Sequence, residues 1–475
     1  MAFIRYKTIH GKCYAYEITS YWDKELKKPR TKSKYIGIVD SNTNKISTFI
    51  KKPKLSEKLI LDFGDGYFIN EIIKCSSLYS ALENILTLVP ELIPLIGYKI
   101  INQSAMRNCQ NWFDTNILSL IHKGIDLSSQ KISRILEILA KEEIQRSFFR
   151  DYHHALKGIK KSIIIDATCM PTSINHPFNT WGKSDSGIQQ QFKLLCIVDQ
   201  ISKLPLFYRF ISGNITDVTT LTTTILELEA MGIKNNSVLL DAGFFSEHNI
   251  KDLYKHKINF ITRMPNSRKT FKTAIDEHAS QLEHLDNIYL YGERTLFIKK
   301  IKIDLYKKNV YLYLILDPVK KMKDLQDAMV DFANLSRKTK NDKQQYGQLL
   351  LSAGIIGLVS SKSVPEQDIL SCYYLRQSVE QVFGFLKDDL NLLPIRQHND
   401  STIRGYLFLQ FIALIIFIQI REKLGNKYTV EKALMILRGI KCKVYEDQVI
   451  TTELTKDQKT ILENCKIIMP KKMGI

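Results

Sequence analysis

Three carboxylates lie in settings that could bring them together. Asp166 follows the apolar run Ile163-Ile164-Ile165, and Asp241 follows Val238-Leu239-Leu240. Each therefore stands where a short buried strand would end, and strand ends of such sheets are where sites form. Glu380 lies in a later helical stretch, from which its carboxylate would project onto the sheet edge beside both aspartates. Anionic groups held within several Å of one another repel unless a cation offsets them, and all-oxygen donors select Mg²⁺ or Mn²⁺ over softer metals. Two such ions about 4 Å apart activate the attacking oxygen on one side of a phosphodiester and stabilise the leaving oxygen on the other. The trio is thus expected to carry nuclease and strand-transfer chemistry.

Taken singly, an aspartate at a strand end is usually a turn or cap residue. The stretch around Glu380 changes that weighting. Tyr373, Arg376, Glu380 and Lys387 stand at offsets of 0, 3, 7 and 14, which at about 100° per residue fall within a stripe roughly 60° wide. The neighbouring apolar stripe of Leu375, Val379, Val382, Phe383, Leu386 and Leu390 would bury against the core and aim the polar four along its edge. In such a site Arg376 and Lys387 are expected to grip phosphates next to the scissile bond, and Tyr373 to hydrogen-bond a phosphate or position a base. Asp199 and Asp217 read instead as turn and helix-start residues. Adjacent on one helix, His153 and His154 point about 100° apart and suit solvated or packing roles better than joint chelation.

The elements that must position these residues can be read from periodicity. Residues 1–55 alternate short apolar and polar runs around a basic loop of Lys27, Lys28, Arg30, Lys32 and Lys34, which either follows a DNA backbone or simply solubilises a hairpin. Residues 56–158 show helical spacing near 68–86, 107–122, 128–141 and 143–157, and Lys131 and Arg134 mark 128–139 as a possible recognition helix. From 159 to 265 the order β-β-β-α-β-α-β predicts the first part of an α/β, RNase H-like core, a mixed sheet flanked by helices. Residues 266–362 predict a β-rich insertion. The core resumes over 363–425, with a helix at about 367–388 and a buried apolar helix at 404–423, and 426–475 reads as a basic tail.

With these residues in place, the chain resembles bacterial insertion-sequence transposases of the DDE class, in the group with a Tyr-x2-Arg-x3-Glu-x6-Lys signature and a β-rich insertion before the catalytic Glu. The resemblance runs over roughly residues 160–423 and includes IIIDAT, SGNITD, LLDAGF, YYLRQSVEQVFGFLK and LLPIRQHNDSTIRGYLFLQFIAL. It implies metal-ligand roles for Asp166, Asp241 and Glu380, two Mg²⁺ ions replaceable by Mn²⁺, and DNA partners comprising terminal inverted repeats and target DNA. It also implies a homodimer in the DNA complex. Some relatives hold a flipped base with a tryptophan from the β-rich insertion, whereas Trp22, Trp112 and Trp181 all lie outside it here.

Composition is consistent with this reading. Lys and Arg number 68 against 49 Asp and Glu, a formal charge of +19 that favours a polyanionic partner. The eight cysteines form no Cys-x-x-Cys pair, which fits a reduced cytoplasmic protein, associated with the nucleoid when on DNA. The most apolar stretch, Tyr406–Ile420, falls short of the roughly 20 residues a spanning helix needs and carries Gln410 and Gln419, so a buried helix and no membrane role are expected. Two other readings compete: an inactive DNA-binding relic, and an RNase H-like nuclease that cuts without joining ends.

Overall fold

Alternating runs such as FIRYKTI and CYAYEITSYW give the first strands of the computed structural model. It describes residues 2–9, 12–24, 27–39, 46–47, 59–102, 104–156, 162–174, 176–184, 187–215, 217–231, 237–333 and 340–474. The predicted boundaries at 55 and 158 fall outside the described residues. Strands β1 (Ala2–Ile9), β2 (Lys12–Asp23), β3 (Lys28–Val39) and β4 (Ile46–Ser47) pair antiparallel in that order. Their unit is separate from the one formed by the rest of the chain. Lys28, Arg30, Lys32 and Lys34 lie on the exposed part of β3 rather than in a loop, and only Lys27, with φ of 46°, belongs to the turn.

The second unit begins with β5 (Leu59–Asp62) and the helices Gly64–Cys75, Tyr79–Leu88, Leu92–Ile101, Ser129–Leu139 and Glu142–Ala155. The helix expected over 68–86 is therefore two. The helix Leu92–Ile101 escaped periodicity because all ten of its residues are buried, so it has no polar face to create an amphipathic signal. On Ser129–Leu139, Ile132, Ile135, Leu136 and Leu139 face the core, and Lys131 pairs with Glu91 at 3.2 Å. His153 is buried against Phe149 and Tyr152 while His154 is exposed, one packing and one solvated.

The centre of this unit is a ten-stranded sheet. Its strands are β6 (Ser162–Pro171), β7 (Thr180–Ser184), β8 (Gly187–Asp199), β9 (Pro205–Ser212), β10 (Ser237–Leu240), β11 (Asn259–Met264), β12 (Ile288–Tyr291), β13 (Arg294–Asp304), β14 (Asn309–Leu316) and β15 (Ile355–Ser360). In the middle, β6 runs parallel to β10 and β10 to β11, while β8 lies antiparallel to β6 on its other side and β9 antiparallel to β8. Ile163, Ile164 and Ile165 are at most 1% exposed, as a strand covered on both faces requires. Asp199 ends β8 with its carboxylate accepting from the backbone of Ile201 and Ser202, the turn role its position suggested. Strands β12 to β15 do not form a sheet of their own: β15 pairs antiparallel with β11, and β14, β13 and β12 continue outward from it.

The helix Asp400–Leu424 is 25 residues long and apolar enough to cross a membrane, and most of it is buried inside the fold. It packs on Ser129–Leu139, where a Cβ on Gly405 would stand 1.9 Å from the Leu136 carbonyl oxygen; only glycine allows the two backbones this close. The segment expected as a tail is folded. After the helix Val430–Arg438, strands β16 (Lys441–Val444), β17 (Gln448–Thr451) and β18 (Lys472–Gly474) form a four-stranded sheet with β5, in the order β18-β17-β16-β5. The helix Lys456–Asn464 between them starts at a Thr455/Gln458 capping box, a short signature legible in the sequence.

Candidate active site

Strand register places the two aspartates side by side. Ile165 of β6 is level with Leu240 of β10, so Asp166 and Asp241 are the next residues of adjacent parallel strands, whose spacing is about 4.8 Å. Asp166 still pairs with Cys196 of β8 and is 8% exposed. Asp241 follows the end of β10, where the chain turns into the short 3-10 turn Ala242–Phe244 and its side chain opens to solvent. Thr262 of β11 donates to the Asp241 carbonyl at 3.4 Å.

The stretch that brings Glu380 to them is not one straight helix. It divides into Glu366–Tyr374 and Gln377–Gly384, with Leu375 and Arg376 at the break, and closes with a π turn over Phe385–Asp389. Val379, Val382, Phe383, Leu386 and Leu390 are buried as the apolar stripe requires, whereas Leu375, at the break, is exposed. Single π turns inside helices tend to mark functional positions, because one extra residue re-aims the side chains that follow.

Arg376 is the hub. Its guanidinium lies 2.8 Å from Asp166, 2.9 Å from Glu380 and 3.8 Å from Asp241, so one cation touches all three carboxylates. The phosphate-gripping role expected of it is thus joined by contact with the acids, because uncompensated carboxylates at this spacing attract the nearest fixed cation. Tyr373 donates its hydroxyl to Asp241 at 3.3 Å, and burial, together with the Asp241 charge, pushes its pKa up to about 12. Lys387, carried round by the π turn, donates to Thr168 at 2.7 Å, two residues along β6 from Asp166. Asp166 is the deepest of the three acids. Burial pushes its carboxyl up to about 6, with Asp241 and Glu380 adding to the rise, while Arg376 and the Ala167 N–H at 2.9 Å oppose it.

Five of the six residues singled out from the sequence, Asp166, Asp241, Tyr373, Arg376 and Glu380, thus form one network, and Lys387 lies beside it through Thr168. Thr168 was not anticipated, although its i+2 position on an Asp166-bearing strand puts it on the same sheet face. The donors are all hard oxygens and suit a divalent ion such as Mg²⁺ in kind. Among the described residues, no three His, Cys, Asp or Glu side chains stand close enough together to form a compact metal site, and Arg376 supplies the neutralising charge.

Comparison with known proteins completes the picture. No curated protein gives a significant match. Among solved structures, the chain is similar to a piggyBac transposase in a cryo-EM synaptic complex with hairpin DNA. The two share 12% identity over 79% of this chain and 70% of that one, with a TM-score of 0.37. The family model for the transposase DDE domain matches residues 158–416, more than half of the chain and a span that holds all six site residues, and the chain belongs to that transposase family.

Proposed function

We propose that this transposase cleaves DNA at the ends of an insertion sequence and joins those ends to target DNA, with Asp166, Asp241 and Glu380 holding two Mg²⁺ ions that Mn²⁺ can replace. The observation that carries the reading is the convergence of three carboxylates from three separate elements on a single guanidinium. The order β9-β8-β6-β10-β11, with one antiparallel and one parallel flank around β6, supports an RNase H-like core. DNA in this reading means terminal inverted repeats and target, engaged by a homodimer. Its setting is the bacterial cytoplasm, at the nucleoid when DNA is bound.

When bound, the ions would supply activation of the attacking oxygen and stabilisation of the leaving oxygen. The chain's own residues do the rest. Asp166, buried and fixed by its register on β6, sets the depth of the site; Glu380, the more exposed acid, closes it from the helix side. Arg376 neutralises the acids before DNA arrives and is placed to donate to a phosphate oxygen once they are otherwise compensated. Tyr373 steadies Asp241, and Lys387 provides a cation beside the path of the strand, on the side of Thr168.

The decisive experiment incubates purified protein with labelled DNA carrying the element's own ends, in Mg²⁺ or EDTA, for wild type, Glu380→Gln and Asp166→Asn. Mg²⁺-dependent nicking and end joining should fall at least about a hundredfold in both variants while DNA binding stays within about twofold, since the phosphate-contacting cations remain. Undiminished cleavage by either variant would remove these residues from the reaction. Cleavage without joining would instead favour a simple nuclease, and binding without cleavage an inactive relic.

A further inference from the structure

The hairpin β7–β8 carries a surface that the carboxylate chemistry does not use. Trp181 is 64% exposed and Ile188 75% exposed, and the two stand on neighbouring strands. With Gln189, Gln190, Pro171, Pro394 and Ile395 they line a shallow open groove. Register decides which way this groove faces. Trp181 is opposite Gln190 and Lys183 opposite Ile188, so these four side chains share one face. Along β8, Gln190 lies six residues from Cys196, an even number, and Cys196 is opposite Asp166. Trp181, Lys183, Ile188 and Gln190 therefore occupy the same sheet face as Asp166 and Thr168. At about 3.3 Å per residue they stand about 20 Å along the strands from the carboxylates, a reach of roughly six base-pair steps.

Strand β7 is also braced at its Thr180–Gly182 end. The Ser212-Gly213-Asn214 segment, singled out in the sequence but without a part in the carboxylate site, braces it. Thr180 and Ser212 hydroxyls meet at 3.0 Å, Asn214 N–H donates to the Thr180 hydroxyl at 3.0 Å, and Gly213 N–H donates to the Phe178 carbonyl at 3.2 Å. A Cβ on Gly182 would meet the Gly213 carbonyl oxygen at 2.4 Å, so the two backbones lie against each other. An indole held open on a braced strand is pre-organised for a flat partner.

We propose that Trp181, with Ile188 and Gln190, forms a base-stacking platform for an unpaired stretch of the DNA strand that lies about six steps from the cut, with Lys183 beside it for the backbone. The occupant is DNA because the platform lies on the sheet face that carries Asp166, beyond the buried Met170 and Phe192, pairs an aromatic plane with an amide group able to meet base edges, and has a cation on the same face. The inference rests on the DNA-cleaving reading above. It differs in place from a base-holding residue in a β-rich insertion, since β7 ends the strand order on the side of the sheet opposite β12 to β15.

The test uses the full chain and end DNA bearing a fluorescent adenine analogue at single unpaired positions four to eight nucleotides from the cut. Wild type should quench the analogue at one or two of these positions, and Trp181→Ala should abolish the quenching and weaken binding at least about fivefold. Trp181→Phe should keep most of both, and fully paired DNA should be affected less than the unpaired probe. Equal quenching by wild type and Trp181→Ala would overturn the proposal, as would a Trp181→Ala variant that changes self-association of the DNA-free protein in sedimentation but not DNA affinity, which would make the face a protein contact. Cleavage lost in Glu380→Gln but quenching insensitive to Trp181 sinks the platform alone; Trp181-dependent quenching with no cleavage in wild type sinks the cleaving reading alone.

Discussion

Arg376 occupies the space between three carboxylates where, in the proposed reaction, metal charge would otherwise act. Removing it should therefore be felt in two opposite ways. In metal-free buffer Arg376→Ala leaves Asp166 buried beside two like charges and should lower stability by about 1–3 kcal/mol, measured by urea denaturation. Added Mg²⁺ should then raise the melting temperature of the variant more than that of wild type, because the ion no longer competes with a guanidinium; equal shifts would show that Arg376 and metal do not share the acids. A second residue tests burial by itself. Lys99 is 2% exposed and donates to the Tyr406 hydroxyl at 3.4 Å, and burial draws its ammonium down to about 8, with Cys109 opposing. Between that value and its ordinary range the unfolded chain holds a proton the folded chain has released, so this residue's contribution makes the fold more stable as pH rises. Lys99→Met should be the more stable protein at neutral pH by a few kcal/mol, with the gap closing by about pH 10; a gap that does not change with pH would refute the titration. The proximity of Asp166 and Asp241 was legible because two apolar runs of equal kind end in the same residue type. The direction taken by Arg376 was not, because spacing gives a shared helix face and only the charges gathered in space decide what that face points at.

At the scale of elements, periodicity served where an element has one wet face and failed where it has none or where its helix changes gauge. The helix Leu92–Ile101 is buried throughout and left no pattern, and the broken Glu380 stretch looked continuous because three and seven residues fit an ideal α-helix whether or not the chain kinks between them. Strand β7 was hidden for a different reason: TWGKS has no apolar alternation, and it is held by backbone pairing with β8 and by the Gly213 segment. The 404–423 stretch, by contrast, declared itself by sheer apolarity, and its glycine reports the packing. In Gly405→Ala the new methyl meets a backbone oxygen that cannot swing away, so the helices must part. A loss of about 2–4 kcal/mol is expected in denaturant unfolding. Gly384→Ala is the control, since a Cβ there meets nothing within 4 Å, and a Gly405→Ala protein no less stable than that control would show that the contact is looser than drawn.

The molecule as a whole is organised around closures that join distant parts of the chain. Residues 266–362, expected as a β-rich insertion, carry the helices Lys269–His278, Pro318–Ala333 and Lys340–Ser352 as well as strands β12 to β15, and they join the central sheet through β15 instead of standing apart, which periodicity cannot reveal because partner choice between strands is a tertiary event. The C-terminal residues behave likewise: read locally they are a basic tail, yet β16 pairs with β5, nearly 400 residues earlier. The charge pattern behind this closure gives a sharp test. Asp65, fully buried at the start of the helix Gly64–Cys75, accepts from Gly66 N–H at 2.7 Å and from Asn116 at 3.1 Å, and it pairs with Arg438 at 3.0 Å. Arg438 also donates to the Ile101 carbonyl at 2.8 Å, so one side chain ties the helix Val430–Arg438 to the helices Gly64–Cys75 and Leu92–Ile101. Arg438→Ala strands a buried carboxylate and should cost about 2–4 kcal/mol. Asp65→Asn made in the same protein should recover part of that loss, because the neutral amide carries no charge to compensate. Hydrogen exchange would locate the damage: amides of β5 and of Gly64–Cys75 should lose protection in Arg438→Ala while those of β6 and β10, which carry the aspartates, keep theirs. Uniform loss across both regions would mean that the closure and the central sheet unfold as a single unit, and that the pair holds the whole second unit rather than its terminal seam.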